Sequence, residues 1–379
     1  MRICFILALL LLAACAREPD NDISIVLQNT GTLELPLPSE VVVGTFCMKY
    51  HSPAPGIEYL FYLNGHNNAI LIYDIQGQSI YKTIHFPVEG DQGFGIITGF
   101  TIKNPDSIYL GVSGKPLLLL TDTTGTLKNR ISFDEAIGDF YPAYSRLFSR
   151  PYNDVIFRDN YLLLSQPLNL NGRIPSASLL KNHPLFIRID PAGRSVTALS
   201  ARFPSDYFKQ NQLFPPEYAV ADDGKKIVYA PYCDHHIYVI SDDSKNTRTL
   251  AKSNFLDEFE SVTAYNNPAY YFAKAGLYRN LLYDPYRQLF YRLVKHNMDD
   301  FTDDLKPEDA YQYPPVFSIM ILDQNLNKVG EHYFNKKQHY DIYQSFVGRE
   351  GLYISTSNPL RPDYEEDKIT FELWTPGKI

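Results

Sequence analysis

A chain of 379 residues, 45% hydrophobic and 21% charged, can bury a large core, which excludes a disordered polypeptide. Its formal charge of −8 argues against binding DNA or RNA, because phosphate recognition needs a basic surface. Aromatic residues make up 14% of the chain, with 29 Tyr and 23 Phe against one Trp, a usage that favours strands over helices.

Residues 1–15 read as a targeting segment. Arg2 gives the positive start, residues 3–12 the apolar middle and Leu12-Ala13-Ala14-Cys15 the processing site. The apolar run is too short to remain as a bilayer-spanning helix. The small-small-Cys ending resembles the lipobox of bacterial lipoproteins, which implies a signal peptide over 1–14 and acylation (palmitate or a similar chain) at Cys15. An ordinary secretory signal with a chance cysteine is the alternative. Each buried CH₂ of an acyl chain contributes roughly 0.8 kcal/mol of membrane affinity, so several chains make a stable anchor. Residues 15–22 are then the lipidated cysteine and a polar tether. Its acids resemble the export tag of surface-exposed Bacteroidetes lipoproteins, although a solvated linker accounts for them equally well. The expected place is the outer membrane, on its periplasmic or its outer side. Loss of 1–14, which hold one arginine and no acid, takes the charge to about −9. With Cys4 removed and Cys15 anchored, only Cys47 and Cys233 remain, too few for a disulfide framework.

The stretch 58–87 sets the pattern for the rest of the chain. Three runs rich in Ile, Tyr, Leu and Phe are broken at Asn64-Gly65 and at Gln76-Gly77, as in an antiparallel meander. Two kinds of hairpin then alternate. One joins the first strand of each unit to its second, over 100–110, 155–163, 218–229, 281–291 and 345–354, with 48–60 as a longer version containing Gly56. The other comes after the third strand and starts at an aspartate: Asp74, Asp122, Asp190, Asp242 and Asp323, each with Gly, Lys or Asn a few residues on. Second-strand tyrosines (Tyr59, Tyr109, Tyr161, Tyr229, Tyr291, Tyr353) recur at roughly 50–70 residues, a blade-length period with insertions.

Six units of four antiparallel strands predict an all-β, six-bladed β-propeller occupying residues 23–379 as a single domain. The last unit has a third strand at 369–374 and no fourth before the chain ends, so the unassigned run 32–37 is expected to supply it and close the ring. First-to-second and third-to-fourth turns share one face and are short. Second-to-third and blade-to-blade connections share the other, where the insertions fall: 134–151, 166–184, 204–216, 254–276, 295–315 and 358–367. Long loops on one face of a rigid scaffold are where binding is expected. Cys47 and Cys233 would lie across the ring, beyond the roughly 7 Å reach of a disulfide, and are expected as free thiols.

Residues 58–64, 106–110, 282–292, 317–323 and 351–357 are similar, in the same order, to the Bacteroidetes lipoprotein family known as domain of unknown function 4221. The resemblance runs from the lipobox to near the C-terminus and implies a lipid-anchored propeller. It carries no catalytic motif onto this chain.

Candidate chemistry is dispersed. In Cys233-Asp234-His235-His236, alternation puts Cys233 and His235 on one side and Asp234 and His236 on the other; neither pair alone makes a zinc site. Asp299, Asp300, Asp303 and Asp304, with Glu308 and Asp309, could bind calcium but lack the glycine of an EF-hand loop, and solvated acids explain them too. No metal or cofactor is therefore expected. Aromatic and arginine side chains crowd the long loops: Tyr141, Tyr144, Arg146, Arg150, Tyr311, Tyr313, Arg361 and Tyr364 are the expected ligand-binding set, with Tyr152, Tyr207, Phe208, Tyr270 and Tyr271 beside them. Such rings stack on sugars and peptide side chains and Arg forks grip carboxylates, while packing of the loops onto the scaffold is the competing explanation. Tyr286 and Arg287 fall on the short-turn face and are expected to be structural. The segment 90–95 reads as a tight blade-to-blade connection. Gly-x-Ser-x-Gly, His-Glu-x-x-His, Gly-x-Gly-x-x-Gly and phosphate-loop motifs are missing. The sequence thus favours a monomeric binding or scaffold module for a protein, peptide or glycan over an enzyme. The alternative is a propeller hydrolase or lyase with His, Asp or Glu, with or without a divalent metal, at the channel mouth.

Overall fold

Strand β1 (Ile25–Pro36), first in the chain, is the outermost strand of the last blade. Blade 1 comes next with β2 (Met48–Ala54), β3 (Ile57–Asn64), β4 (Ala69–Asp74) and β5 (Ser79–His85). Blade 2 holds β6 (Ile97–Asn104), β7 (Ser107–Val112), β8 (Leu117–Thr121) and β9 (Asn129–Ser132). Blade 3 holds β10 (Ile156–Arg158), β11 (Tyr161–Ser165), β12 (Phe186–Ile189) and β13 (Val196–Ala198). Blade 4 holds β14 (Tyr218–Asp222), β15 (Ile227–Pro231), β16 (His236–Ile240) and β17 (Thr247–Leu250). Blade 5 holds β18 (Leu277–Asp284), β19 (Leu289–Lys295), β20 (Phe317–Leu322) and β21 (Lys328–Phe334). Blade 6 is β22 (Asp341–Val347), β23 (Leu352–Ser355) and β24 (Lys368–Lys378), completed by β1. This computed structural model describes residues 25–378 except 42, 46, 134–154, 159, 167, 169–175, 191, 193–194, 209–211, 241–246, 266, 299–305 and 336–338, and except the side chains of 177, 181, 268, 308, 311 and 312.

The sheet order makes an antiparallel six-bladed propeller. First strands β2, β6, β10, β14, β18 and β22 face the axis, where β2 touches β6 and β22, β6 touches β10, and β18 touches β14 and β22. Middle strands are covered on both sides, so β4 and β20 are apolar almost throughout; the outer strand β5 alternates, with Ile84 inward and Thr83 and His85 outward. Four of the third-strand aspartates act as the turn chemistry requires: Oδ1 of Asp74, Asp122, Asp190 and Asp323 accepts the N–H two residues on, at 2.8–3.1 Å, while Asp242 lies outside the described residues.

Closure runs through β1, which pairs with β24 from Ile25↔Lys378 to Pro36↔Lys368 with one bulge between Asn29 and Gly31. Leu33 and Leu35 of β1 enter an apolar cluster that joins blade 6 to blade 1 through Leu60, Tyr62, Leu71, Ile369 and Phe371. The strand is longer than the run 32–37 suggested, because the chain continues to pair down the full length of β24.

The connections separate the two faces as expected. All turns from a first to a second strand are short, and the extended connections 133–155, 166–185, 199–217, 251–276, 296–316 and 356–367 each join strand ends on the opposite face. The first hairpin departs from expectation. It is not a longer loop but a two-residue turn at Pro55-Gly56, with Gly56 at φ +79° and a bulge between His51 and Ala54 absorbing the extra residues. The connections also contain short helices that strand periodicity hid. These are α1 (Ala177–Asn182), α2 (Pro268–Lys274) and α3 (Pro307–Gln312), and Pro opens the last two. Cys47 and Cys233 are buried free thiols.

Candidate functional site on the long-loop face

The segment singled out in the sequence, 233–236, forms the connection from β15 to β16 on the long-loop face of blade 4. Its position is set from blade 5. Arg292 of β19 is fully buried, and its guanidinium donates to the carbonyls of Pro231 (3.2 Å), Asp234 (2.7 Å) and Ala251 (3.2 Å) while lying 3.4 Å from the centre of the Tyr278 ring. Burial lowers its pKa to about 10, so it stays charged at neutral pH.

Alternation then divides the four side chains. Cys233 Sγ turns to Tyr271 Oη (3.5 Å), and burial pushes its thiol up to about 12, which leaves it inert as a nucleophile. His235 spends both ring nitrogens, Nδ1 on Tyr278 Oη (2.8 Å) and Nε2 on the Asp257 carbonyl (3.0 Å), and burial lowers its pKa. Asp234 and His236 meet on the other side. Asp234 Oδ1 accepts from the His236 backbone N–H (2.9 Å) and from Nδ1 (2.8 Å), and Oδ2 accepts from Tyr238 Oη–H (2.6 Å). A carboxylate on Nδ1 fixes the tautomer with the proton there. Nε2 is left as an acceptor on a ring whose side chain is 30% exposed.

His236 lines a cleft of about 340 Å³. Its wall is built from three connections: Asp206, Tyr207, Gln212 and Phe214 before blade 4, the 233–236 turn, and Asp257, Glu258 and Phe259 before blade 5. Leu250, paired across the sheet with His236, adds an exposed apolar edge. The interior is aromatic and the rim acidic. Lys252 pairs with Asp257 at 2.8 Å, whereas no ion pair among the described residues involves Asp206 or Glu258. Such a cleft can accept a hydrogen bond or a proton at Nε2 and suits a ligand with polar donors on a ring or aliphatic frame. Among the described residues no three His, Cys, Asp or Glu side chains stand together as metal ligands would.

A second cluster lies at the rim of blade 5. Glu331 is almost fully buried. Although burial alone would raise its pKa, hydrogen bonds from Asn254 N–H, Lys328, Ser253 and Ser318 hold it below the usual carboxylate range. Ser318 gives its proton to Glu331 (2.7 Å), so it accepts from His296 Nε2 (3.0 Å), and burial lowers the His296 pKa to about 4. Phe255 stacks on His296 at 4.8 Å and, with Tyr333, remains exposed.

The axial channel offers less chemistry. Its cavity of about 570 Å³ is walled mainly by Met48, Ile156, Val220, Leu281, Phe346 and similar apolar groups. Asp222 and Asp223 at its short-turn end are engaged by Arg158 (3.6 Å) and Lys226 (3.8 Å).

The expected ligand-binding residues scatter. Tyr141, Tyr144, Arg146, Arg150 and Tyr152 lie outside the described residues, as do the acids 299–304 and the side chain of Tyr311. Tyr313 is half-buried on the long-loop face beside α3. Arg361 and Tyr364 line a small cleft of about 190 Å³ on the 356–367 connection, where Arg361 forks onto Asp363 at 2.8 and 2.9 Å. Tyr207, Phe208 and Tyr271 belong to the core, Tyr207 stacking on Phe203 at 4.9 Å, and Tyr270 is exposed. On the opposite face Arg287 holds Asp284 (3.2 Å) and the carbonyls of Arg349 and Glu350, which ties blade 5 to blade 6; Tyr286 Oη reaches Tyr50 Oη of blade 1 at 3.3 Å. Residues 90–95 close tightly, with Phe94 N–H to Pro87 O at 2.7 Å and the Phe94 ring buried. Sequence reasoning missed Arg292 and Glu331, whose partners come from distant connections.

Fold and site together define a six-bladed β-propeller that keeps one face plain and builds clefts on the other. The family model for Domain of unknown function (DUF4221) matches residues 23–333, and the chain belongs to that family. A solved DUF4221-family structure from Bacteroides vulgatus has 21% sequence identity and a TM-score of 0.83, covering 94% of this chain and 100% of its own. A Bacteroides fragilis protein named as exported has 10% identity and a TM-score of 0.54, covering 91% and 94%. At these identities the likeness is one of fold alone. A search of curated proteins finds no match.

Proposed function

We propose that the chain is an envelope lipoprotein, held to the outer membrane through acylated Cys15, that binds a protein, peptide or glycan on its long-loop face. The observation that carries this reading is that the extended connections open on one face, and there they enclose the cleft in which Asp234 presents His236. Screening residues 21–379 against peptide and glycan panels tests it. His236→Ala and Tyr313→Ala should each weaken the strongest binder about tenfold, in line with loss of one or two buried contacts. Lys225→Ala, on the short-turn face, should not. Loss of binding on Lys225→Ala with the other two unchanged would place recognition on the wrong face. The Asp234–His236 pair also favours a second reading, a hydrolase or lyase in which Nε2 takes a proton. Turnover of a bound glycan or peptide that His236→Ala abolishes while leaving binding intact would select it.

A further inference from the structure

We propose that the short-turn face is turned toward the lipid bilayer and the long-loop face points away from it; this rests on the anchor at Cys15. The direction of β1 is the starting point. As the fourth strand of blade 6 it must run from the short-turn face to the long-loop face, and its register with β24 shows that it does: Ile25 pairs with Lys378, at the far end from the 356–367 connection, and Pro36 pairs with Lys368, next to it. A neighbouring blade agrees. A Cβ on Gly330, near the start of β21, would run into the Ile25 carbonyl, so the N-terminal end of β1 is packed against the short-turn end of blade 5. The polypeptide therefore enters the propeller on the plain face.

Reach supplies the rest. Ten peptide steps separate Cys15 from Ile25, which span at most ~35 Å when fully extended. The twelve residues of β1 rise by roughly 40 Å at strand spacing, and the loops stand beyond that. To lay the long-loop face on the bilayer, the tether would have to cover the whole height of blade 6, and even fully straightened it falls short of that distance. With the short-turn face down, the same tether is slack. Among the described residues the turns there are short, and no protruding loop holds that face off the surface.

Energy transfer from the lipidated full-length protein to vesicles tests this. The protein is inserted into vesicles of phosphatidylethanolamine and phosphatidylglycerol carrying a trace of acceptor-labelled lipid. Buried Cys47 and Cys233 leave introduced exposed cysteines as the labelling sites. Two pairs separate height from lateral position: Asp106→Cys against Lys115→Cys in blade 2, and Lys225→Cys against Ser205→Cys at blade 4. Donors at 106 and 225 should transfer several-fold more energy than their partners at 115 and 205. Equal transfer within both pairs, or stronger transfer from 115 and 205, overturns the orientation. Cys15→Ala separates the anchor from the orientation: it should abolish vesicle binding, and persistence of binding would refute the anchor itself.

Discussion

Leu35→Ala examines whether β1 closes the ring or merely decorates it. Leu35 is 0% exposed and belongs to one apolar cluster with Ile369 and Phe371 of blade 6 and Leu60, Tyr62 and Leu71 of blade 1. Truncating a leucine in such a position costs about 2–5 kcal/mol, from lost transfer energy plus the cavity left behind. A fold of this kind has a net stability of about 5–15 kcal/mol, so one substitution removes a large share of it. Leu33, at 4% exposed, belongs to the same cluster, and Leu33→Ala with Leu35→Ala should approach complete unfolding. The intervening Glu34 points outward to Lys368 at 3.2 Å with half its side chain exposed, and Glu34→Ala should change stability by less than about 1 kcal/mol. The single tryptophan makes the assay local. Trp374 of β24 pairs with Asn29 of β1, is buried, and packs on Phe334 of blade 5 at 4.9 Å. Urea unfolding followed by its fluorescence should show Leu35→Ala shifted to a lower midpoint and Glu34→Ala superimposed on the parent. A Leu35→Ala midpoint equal to that of Glu34→Ala would mean that β1 bears no load in closure.

Buried charge gives two more expected outcomes. Arg292→Met should destabilise by about 2–4 kcal/mol in urea, because three carbonyls lose a charged donor, partly offset by no longer burying a guanidinium; a midpoint within error of the parent would show that those carbonyls have other partners. Lowering the pH from 6.5 to about 4 should destabilise the fold through His296: its folded pKa is depressed to about 4, so stability is complete above the unfolded pKa of about 6.5 and is lost as the unfolded state takes up the proton first. His296→Gln should flatten that part of the urea midpoint against pH, and an unchanged slope would assign it to other groups.

Much of the architecture was legible because its determinants are local. An aspartate at the end of a third strand caps its own turn through Oδ1, as at Asp74 and Asp323, and this chemistry marks blades 1, 2, 3 and 5. The face of each loop is set by parity alone, since antiparallel strands return every second turn to the same side. The pairing of Asp234 with His236 was readable as an i, i+2 relation, but the cleft around it was not, because its walls come from three connections. Composition likewise could not separate Tyr207 and Tyr271, which fold back into the core, from exposed Tyr270; that choice depends on where each loop docks. Arg292 looked like one polar residue on a strand. Its role emerges only when Pro231, Asp234 and Ala251 converge on it.

The same parity links closure to presentation. A propeller closed by its N-terminal segment must use that segment as a fourth strand, and a fourth strand always starts on the short-turn face. The segment preceding it therefore leaves from the plain side whatever the loops opposite have become. Insertions can accumulate in the 166–185, 251–276 and 356–367 connections without entering the space where an anchor would lie. Had the C-terminal strand alone closed blade 6, β1 would be absent and a tether would lead into β2, which begins on the long-loop face. Anchoring there would press the clefts against the bilayer. The β1–β24 pairing thus fixes more than the ring: it decides which surface an anchored chain offers to a partner.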